Sequence, residues 1–181
     1  MSVESAAARL QEGALSQHLQ AAGWVVPTMQ TIHILMIGVV FVSILMVTLR
    51  VLGWVRAEEP LLTVWRRFAP FLWTALVIMA LTGLLLTLAE PVREVMATSY
   101  RVKMLLLLVG LVSALLFGRS VRGAAYAGAP APARPPPLVR LASVLTVLLW
   151  LAIIFLGRAI AYDNSVWGSW STSVLQKGGS T

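Results

Sequence analysis

Cysteine is absent from the 181 residues, acidic side chains number only 7, and charged residues of either sign make up 12% of the chain. The missing cysteine removes disulfides, thiolate metal sites and cysteine nucleophiles together. The missing charge removes more. A soluble domain carries about 25% charged and roughly 45–50% apolar residues, whereas 59% of this chain is apolar. There is no glycine-rich phosphate loop, no Ser/His/Asp set and no closely paired carboxylate, so nothing supports hydrolytic or phosphoryl-transfer chemistry. The net charge of +7 does not point to nucleic acid, because the basic residues fall at the ends of apolar runs rather than in one stripe.

What remains is long uncharged sequence. Charge is missing from Gly13–Leu49 (apart from the two histidines), Phe68–Ala89, Met104–Gly118 and Leu141–Gly157. A hydrocarbon core about 30 Å thick takes roughly 20 helical residues to cross. The first two runs meet that length directly. The third meets it once Val102 and Lys103 are included, with the lysine stem snorkelling toward the interface. The fourth meets it by continuing to Ile160. The prediction is an all-α integral membrane protein, a four-transmembrane-helix bundle forming one domain over 1–181. Its spans are 27–52, 68–88, 100–117 and 139–162.

The remaining segments follow from composition. Residues 3–22 place Ala7, Leu10, Ala14, Leu15, Leu19 and Ala22 near one helical face, which predicts an amphipathic helix lying in the headgroup plane, with Trp24 as its anchor. No apolar block resembling a cleavable signal peptide precedes it. Residues 118–138 form a Gly/Ala/Pro linker and 163–181 a Gly/Ser/Trp tail. Four arginines lie at or near the connection after the first span (Arg50, Arg56, Arg66, Arg67) and four at or just after the linker (Arg119, Arg122, Arg134, Arg140), against six basic residues spread over the other side. Positive-inside bias therefore predicts a multi-pass protein of the bacterial inner membrane with both termini periplasmic.

With that topology the informative polar residues share one level. His33 lies about 9 Å beyond Pro27 at 1.5 Å per residue, Thr82 is at similar depth, Lys103 opens the third span and Arg158 closes the fourth. An ionisable residue inside a bilayer is a functional candidate by default. The competing explanation is a neutral imidazole bonding a neighbouring helix, worth about 0.6 kcal/mol on average. Zinc wants three or four ligands, and two histidines without embedded carboxylates do not supply them. A haem b needs one axial histidine, with Lys103 and Arg158 as partners for its propionates. A quinone head group would suit His33, Gln30 and Thr82. Copper could pair the imidazole with methionine sulfur, Met36 among the candidates, although methionine in a bundle is more often gap filler. The expected cofactor-binding set is His33, Gln30, Met36, Thr82, Lys103 and Arg158, with His33 as the metal ligand if there is one. His18 is expected to be solvated.

In order along the chain, "WVVPTMQTIHILMIG", "LRVLG", "LTGLLL", "YRVKMLLLLVG" and "LWLAIIFLGRAIAY" resemble an uncharacterised family of four-helix bacterial inner-membrane proteins, a domain of unknown function. The pattern is more distantly similar to the copper-resistance D family and to HemJ-type protoporphyrinogen oxidase. For the latter, the matching positions are His33, Arg50 and Lys103, and the resemblance implies haem or porphyrin contact at His33. The close family carries an asparagine where Ser113 stands and often a histidine where Gly118 stands. The leading expectation is thus a redox-linked membrane protein holding haem b or a quinone in the outer leaflet. The alternative is a non-catalytic accessory or anchor subunit, whose tail "NSVWGSWSTSV" docks a membrane-complex partner or a second copy. Copper transport is the third.

Overall fold

The structure is a computed structural model that describes residues 3–126 and 135–171, all of them helical or in short connections. The helices are α1 (Val3–Glu12), α2 (Ala14–Ala21), α3 (Val25–Leu52), α4 (Leu61–Ala89), α5 (Pro91–Met96), α6 (Thr98–Tyr126), α7 (Pro137–Ala159) and α8 (Asp163–Trp167). Turns of 3-10 helix at Ile160–Tyr162 and Gly168–Trp170 flank α8. Helices α3, α4, α6 and the α7–α8 stretch are long and apolar enough to cross a membrane, and the chain is a four-span helical bundle.

Short connections force neighbouring spans to run antiparallel, so the bundle has a terminal face (the starts of α3 and α6, the ends of α4 and α7) and an opposite loop face. Helix α3 packs most extensively on α4 and also on α7, while α6 packs on α7 and more thinly on α4. The four spans thereby close a ring in which α3 and α6 stand on the diagonal. Val40, Ile44 and Val47 of α3, Leu72, Ala75 and Met79 of α4, and Trp150 and Ile153 of α7 form its core. The outer surface is apolar too: Leu105, Leu108, Leu145 and Leu148 are all more than half exposed, as a wall meeting acyl chains should be.

Two tryptophans are seated on glycines of α6. A Cβ at Gly118 would stand 2.6 Å from Trp65 Cζ2, and one at Gly110 would be 3.5 Å from the Trp150 ring. Trp65 also meets Phe117 edge to face, with centroids 5.4 Å apart. Only a residue without a side chain lets α6 come that close to Trp65.

Several boundaries differ from the sequence expectation. The stretch 3–22 is two helices broken at Gly13, and it is pinned to the bundle as well as amphipathic. Ser16 Oγ and Gln20 Nε2 both donate to the Ala89 carbonyl, at 3.0 and 2.6 Å, filling acceptors that the end of α4 leaves open. Helix α4 begins at Leu61, seven residues before the predicted 68, because Arg66 and Arg67 are exposed and extend the helix past the hydrocarbon. Helix α6 continues through 118–126, the first part of the predicted linker, while linker residues 127–134 and tail residues 172–181 lie outside the described residues. Helix α5 occupies the segment between the second and third predicted spans.

Candidate functional site

The His33 ring sits where α3 crosses α4. Its Nδ1 lies 2.8 Å from Thr82 Oγ1, and the Thr82 hydroxyl donates its own hydrogen to the Ile78 carbonyl, also at 2.8 Å. With the Thr82 hydrogen on the Ile78 carbonyl, the imidazole is the donor; we assign the proton to Nδ1 on that basis, which leaves Nε2 with a bare lone pair. Gly83 makes room for the ring: a Cβ there would stand 3.3 Å from His33 Cε1. The sequence "LTGLLL" thus does two jobs in successive positions, with Thr82 holding the imidazole and Gly83 clearing its space.

Lys103 approaches from the diagonal helix. Its ammonium rests on α7 at Gly157, 3.5 Å from where a Cβ would be, and its charge is felt at both His33 and Glu94. Interaction across the diagonal means both side chains reach toward the ring's interior at the terminal face. Glu94 comes from α5, the short helix that starts with Pro91 at its first position. Its side chain is half-buried; burial raises its carboxyl above the ordinary carboxylate value, with the cations of Lys103 and Arg93 opposing that rise. The site therefore comprises His33, Thr82, Gly83, Glu94, Lys103 and Gly157, drawn from all four spans and α5.

Of the expected set, His33 and Thr82 are bonded together and Lys103 joins them electrostatically. Met36 packs against the apolar core. Gln30 is exposed on α3. Arg158 is also exposed and forms no ion pair among the described residues; its neighbour Gly157 faces the site instead, since adjacent residues on a helix point about 100° apart. Arg101 turns away as an interfacial anchor and donates to the Val95 carbonyl at 3.2 Å. His18 is exposed, as expected. Arg50 lies 17 residues beyond His33 on the same helix, about 25 Å along its axis at 1.5 Å per residue. The three positions implied by the porphyrin-oxidase resemblance therefore do not form one cluster. Among the described residues, no group of three or more His, Asp or Glu side chains is placed to hold a metal.

Two contributors to this face are absent from the expected set. Glu94 falls between the second and third predicted spans; the signal for it is Pro91 followed by Val92, Val95 and Met96, a short helix with one apolar side. The second is Asp163, which is 6% exposed. Its carboxylate accepts from the Ser99 amide at 2.9 Å, the Ser99 hydroxyl at 2.7 Å, the Thr98 amide at 3.2 Å and the Ser171 hydroxyl at 2.6 Å. Thr98 and Ser99 open α6, so Asp163 is an N-cap delivered from 64 residues downstream. It fixes the start of the helix that carries Lys103. Trp167 Nε1 donates to Ser99 Oγ at 2.8 Å, so this tryptophan serves the chain's own fold, while Trp170 is 81% exposed.

No curated protein and no solved structure matches the chain, so the two more distant resemblances stand without a match. The model of a family of unknown function, DUF6644, matches residues 16–163. That segment takes in the whole polar cluster together with Asp163, and the chain belongs to this family.

Proposed function

We propose that the bundle binds the head group of a membrane quinone at its terminal face, in a redox-linked role. One observation carries the reading: among the described residues, neither His33 Nε2 nor the Lys103 ammonium has a hydrogen-bond partner, and the two come from helices on opposite sides of a single ring. A quinol has a hydroxyl at each end of its head group, one whose oxygen receives a hydrogen bond from Lys103 and one that gives its hydrogen to Nε2, while in the oxidised quinone only the carbonyl on the Lys103 side keeps its bond. Glu94, beside Lys103 on the aqueous side, gives such a proton a titratable neighbour. Lys/Arg counts support a periplasmic position for this face in a bacterial inner membrane.

Haem b is the second reading. A histidine whose Nδ1–H is held by Thr82 is oriented as an axial ligand, with Nε2 free for iron, and Lys103 would take a propionate. Copper transport has less support, because Met36 and Met79 pack in the apolar core. The accessory-subunit reading draws on Trp170, whose exposure suits a partner surface.

The test is to purify the chain in mild detergent, extract and quantify quinone, and record oxidised and reduced absorption spectra. Quinone at about one per chain, lost in both His33→Ala and Lys103→Gln, is the expected result. A Soret band that disappears in His33→Ala selects haem. Neither quinone nor a Soret band, together with a stoichiometric co-purifying protein retained by His33→Ala, selects the accessory role.

A further inference from the structure

The loop face has its own polar feature, independent of the quinone reading. A cavity of about 420 Å³ opens between the end of α3 and the start of α7, lined by Arg50, Gly53, Trp54, Ala57, Pro135 and Arg140 among others. That volume falls within the roughly 300–1,000 Å³ typical of ligand sites. Two arginines are among its lining residues, and no carboxylate is among the described ones. The nearby Glu59 carboxylate is already taken by Arg56 at 2.6 Å and Arg67 at 3.3 Å. Among the described residues Arg50 donates only through its Nε, to the Glu59 carbonyl at 2.6 Å. Arg140 forms no ion pair among the described residues and stands in the first turn of α7, where the helix dipole favours an anion. Residues 135–137 are prolines and the Val139 and Arg140 amides are bonded to the Pro136 carbonyl, so the hydrogen-bond donors for an anion here are the guanidinium groups. Two arginines converging on one cavity beside a helix N-terminus match the tetrahedral oxygens of a phosphate group.

We propose that this cavity binds the phosphate of an anionic phospholipid head group. The lipid is favoured over a soluble phosphate ester because the cavity lies where the spans end, and Trp54, 75% exposed at its rim, is suited to the headgroup level.

Phosphatidylglycerol, phosphatidylcholine and inorganic phosphate are titrated separately onto the detergent-purified chain, with lipid retention read by native mass spectrometry. The variants are Arg140→Gln, Arg50→Gln and, as an equal charge loss elsewhere on the same face, Arg119→Gln. Because Arg50 also ties down the 53–60 loop, Arg140→Gln is the decisive variant. The expected result is preference for phosphatidylglycerol, weakened at least ~10-fold in Arg140→Gln, the loss of one charge-assisted bond, with Arg119→Gln unchanged. Competition by inorganic phosphate at the same site shows that the phosphate itself is recognised from either source. Equal weakening in Arg119→Gln, or no preference between the two lipids, reduces the cavity to diffuse surface charge and overturns the proposal.

Discussion

Removing the Asp163 carboxylate should loosen the whole terminal face. Its two oxygens accept four hydrogen bonds, two of them from the opening amides of α6. In Asp163→Ala those amides and the Ser99 hydroxyl lose their acceptor in a place where Ser99 is fully buried. A buried donor left unpaired costs about 1–3 kcal/mol, and loss of an N-cap about 0.5–2 kcal/mol. Three donors lose their acceptor and the capping cost overlaps with theirs, so about 3–5 kcal/mol is the expected total. Asp163→Asn should cost less, about 1–3 kcal/mol. Its remaining oxygen can still serve Ser99, and the Ser171 hydroxyl can turn to accept from the new amide, which leaves an N–H opposed to the Thr98 amide. Thermal unfolding of the detergent-purified chain by circular dichroism measures both. At about 2–4 °C per kcal/mol for a chain of this size, Asp163→Ala should melt roughly 6–20 °C lower. Hydrogen exchange at Thr98 and Ser99 should accelerate before the rest of α6. The reasoning fails if Asp163→Ala melts within ~2 °C of the unmodified chain, or if Asn proves worse than Ala.

Thr82→Val keeps the shape of the residue but removes the acceptor for His33 Nδ1–H. Nitrogen chemical shifts of the imidazole should then show a mixture of tautomers, and any ligand held at Nε2 should bind about 10–100-fold more weakly; an unchanged tautomer would mean that Thr82 does not set it. Gly118→Ala sets a gain in helix propensity of about 1 kcal/mol against a methyl 2.6 Å from the Trp65 ring. Overpacking at about 1–3 kcal/mol should win, and adding Trp65→Phe should recover stability in a double-mutant cycle. A Gly118→Ala protein that is more stable than the parent would show the contact to be soft. Glu94 has its carboxyl raised by burial, so the folded chain holds this proton more tightly than the unfolded chain does. Stability should therefore fall as pH rises from the ordinary carboxylate range through the raised value, and Glu94→Gln should flatten that fall in denaturation midpoints measured from about pH 4 to 8. An unaltered slope would place the carboxyl in water.

The four spans could be read directly because a bilayer tests each segment alone: twenty or so residues without charge either partition or do not. The terminal-face cluster was legible only in part, for a related reason. His33, Thr82 and Lys103 each break an otherwise apolar run at a matching depth, and depth is linear in sequence. Arg158 has the same depth, yet its side chain is exposed while Gly157 faces the site. That choice depends on how α7 is rotated about its axis, and an apolar helix with lipid on one side and packing on the other encodes rotation only weakly. Trp167 shows the same ambiguity, since the composition that suggests a docking tail also suits a ring whose indole N–H returns to Ser99.

The sequence by itself determined the class of protein, the number and order of its spans, and the level at which its rare polar groups lie, since transfer from water to hydrocarbon is decided by local composition. Tertiary structure decided the partnerships: the Asp163 cap on α6, the entry of Glu94 on α5, the separation of Arg50 from His33, and the pairing of Arg50 with Arg140. Each joins residues far apart in the chain through the closing of the helical ring, and hydrogen bonds and charges act over a few ångströms that only that closure supplies.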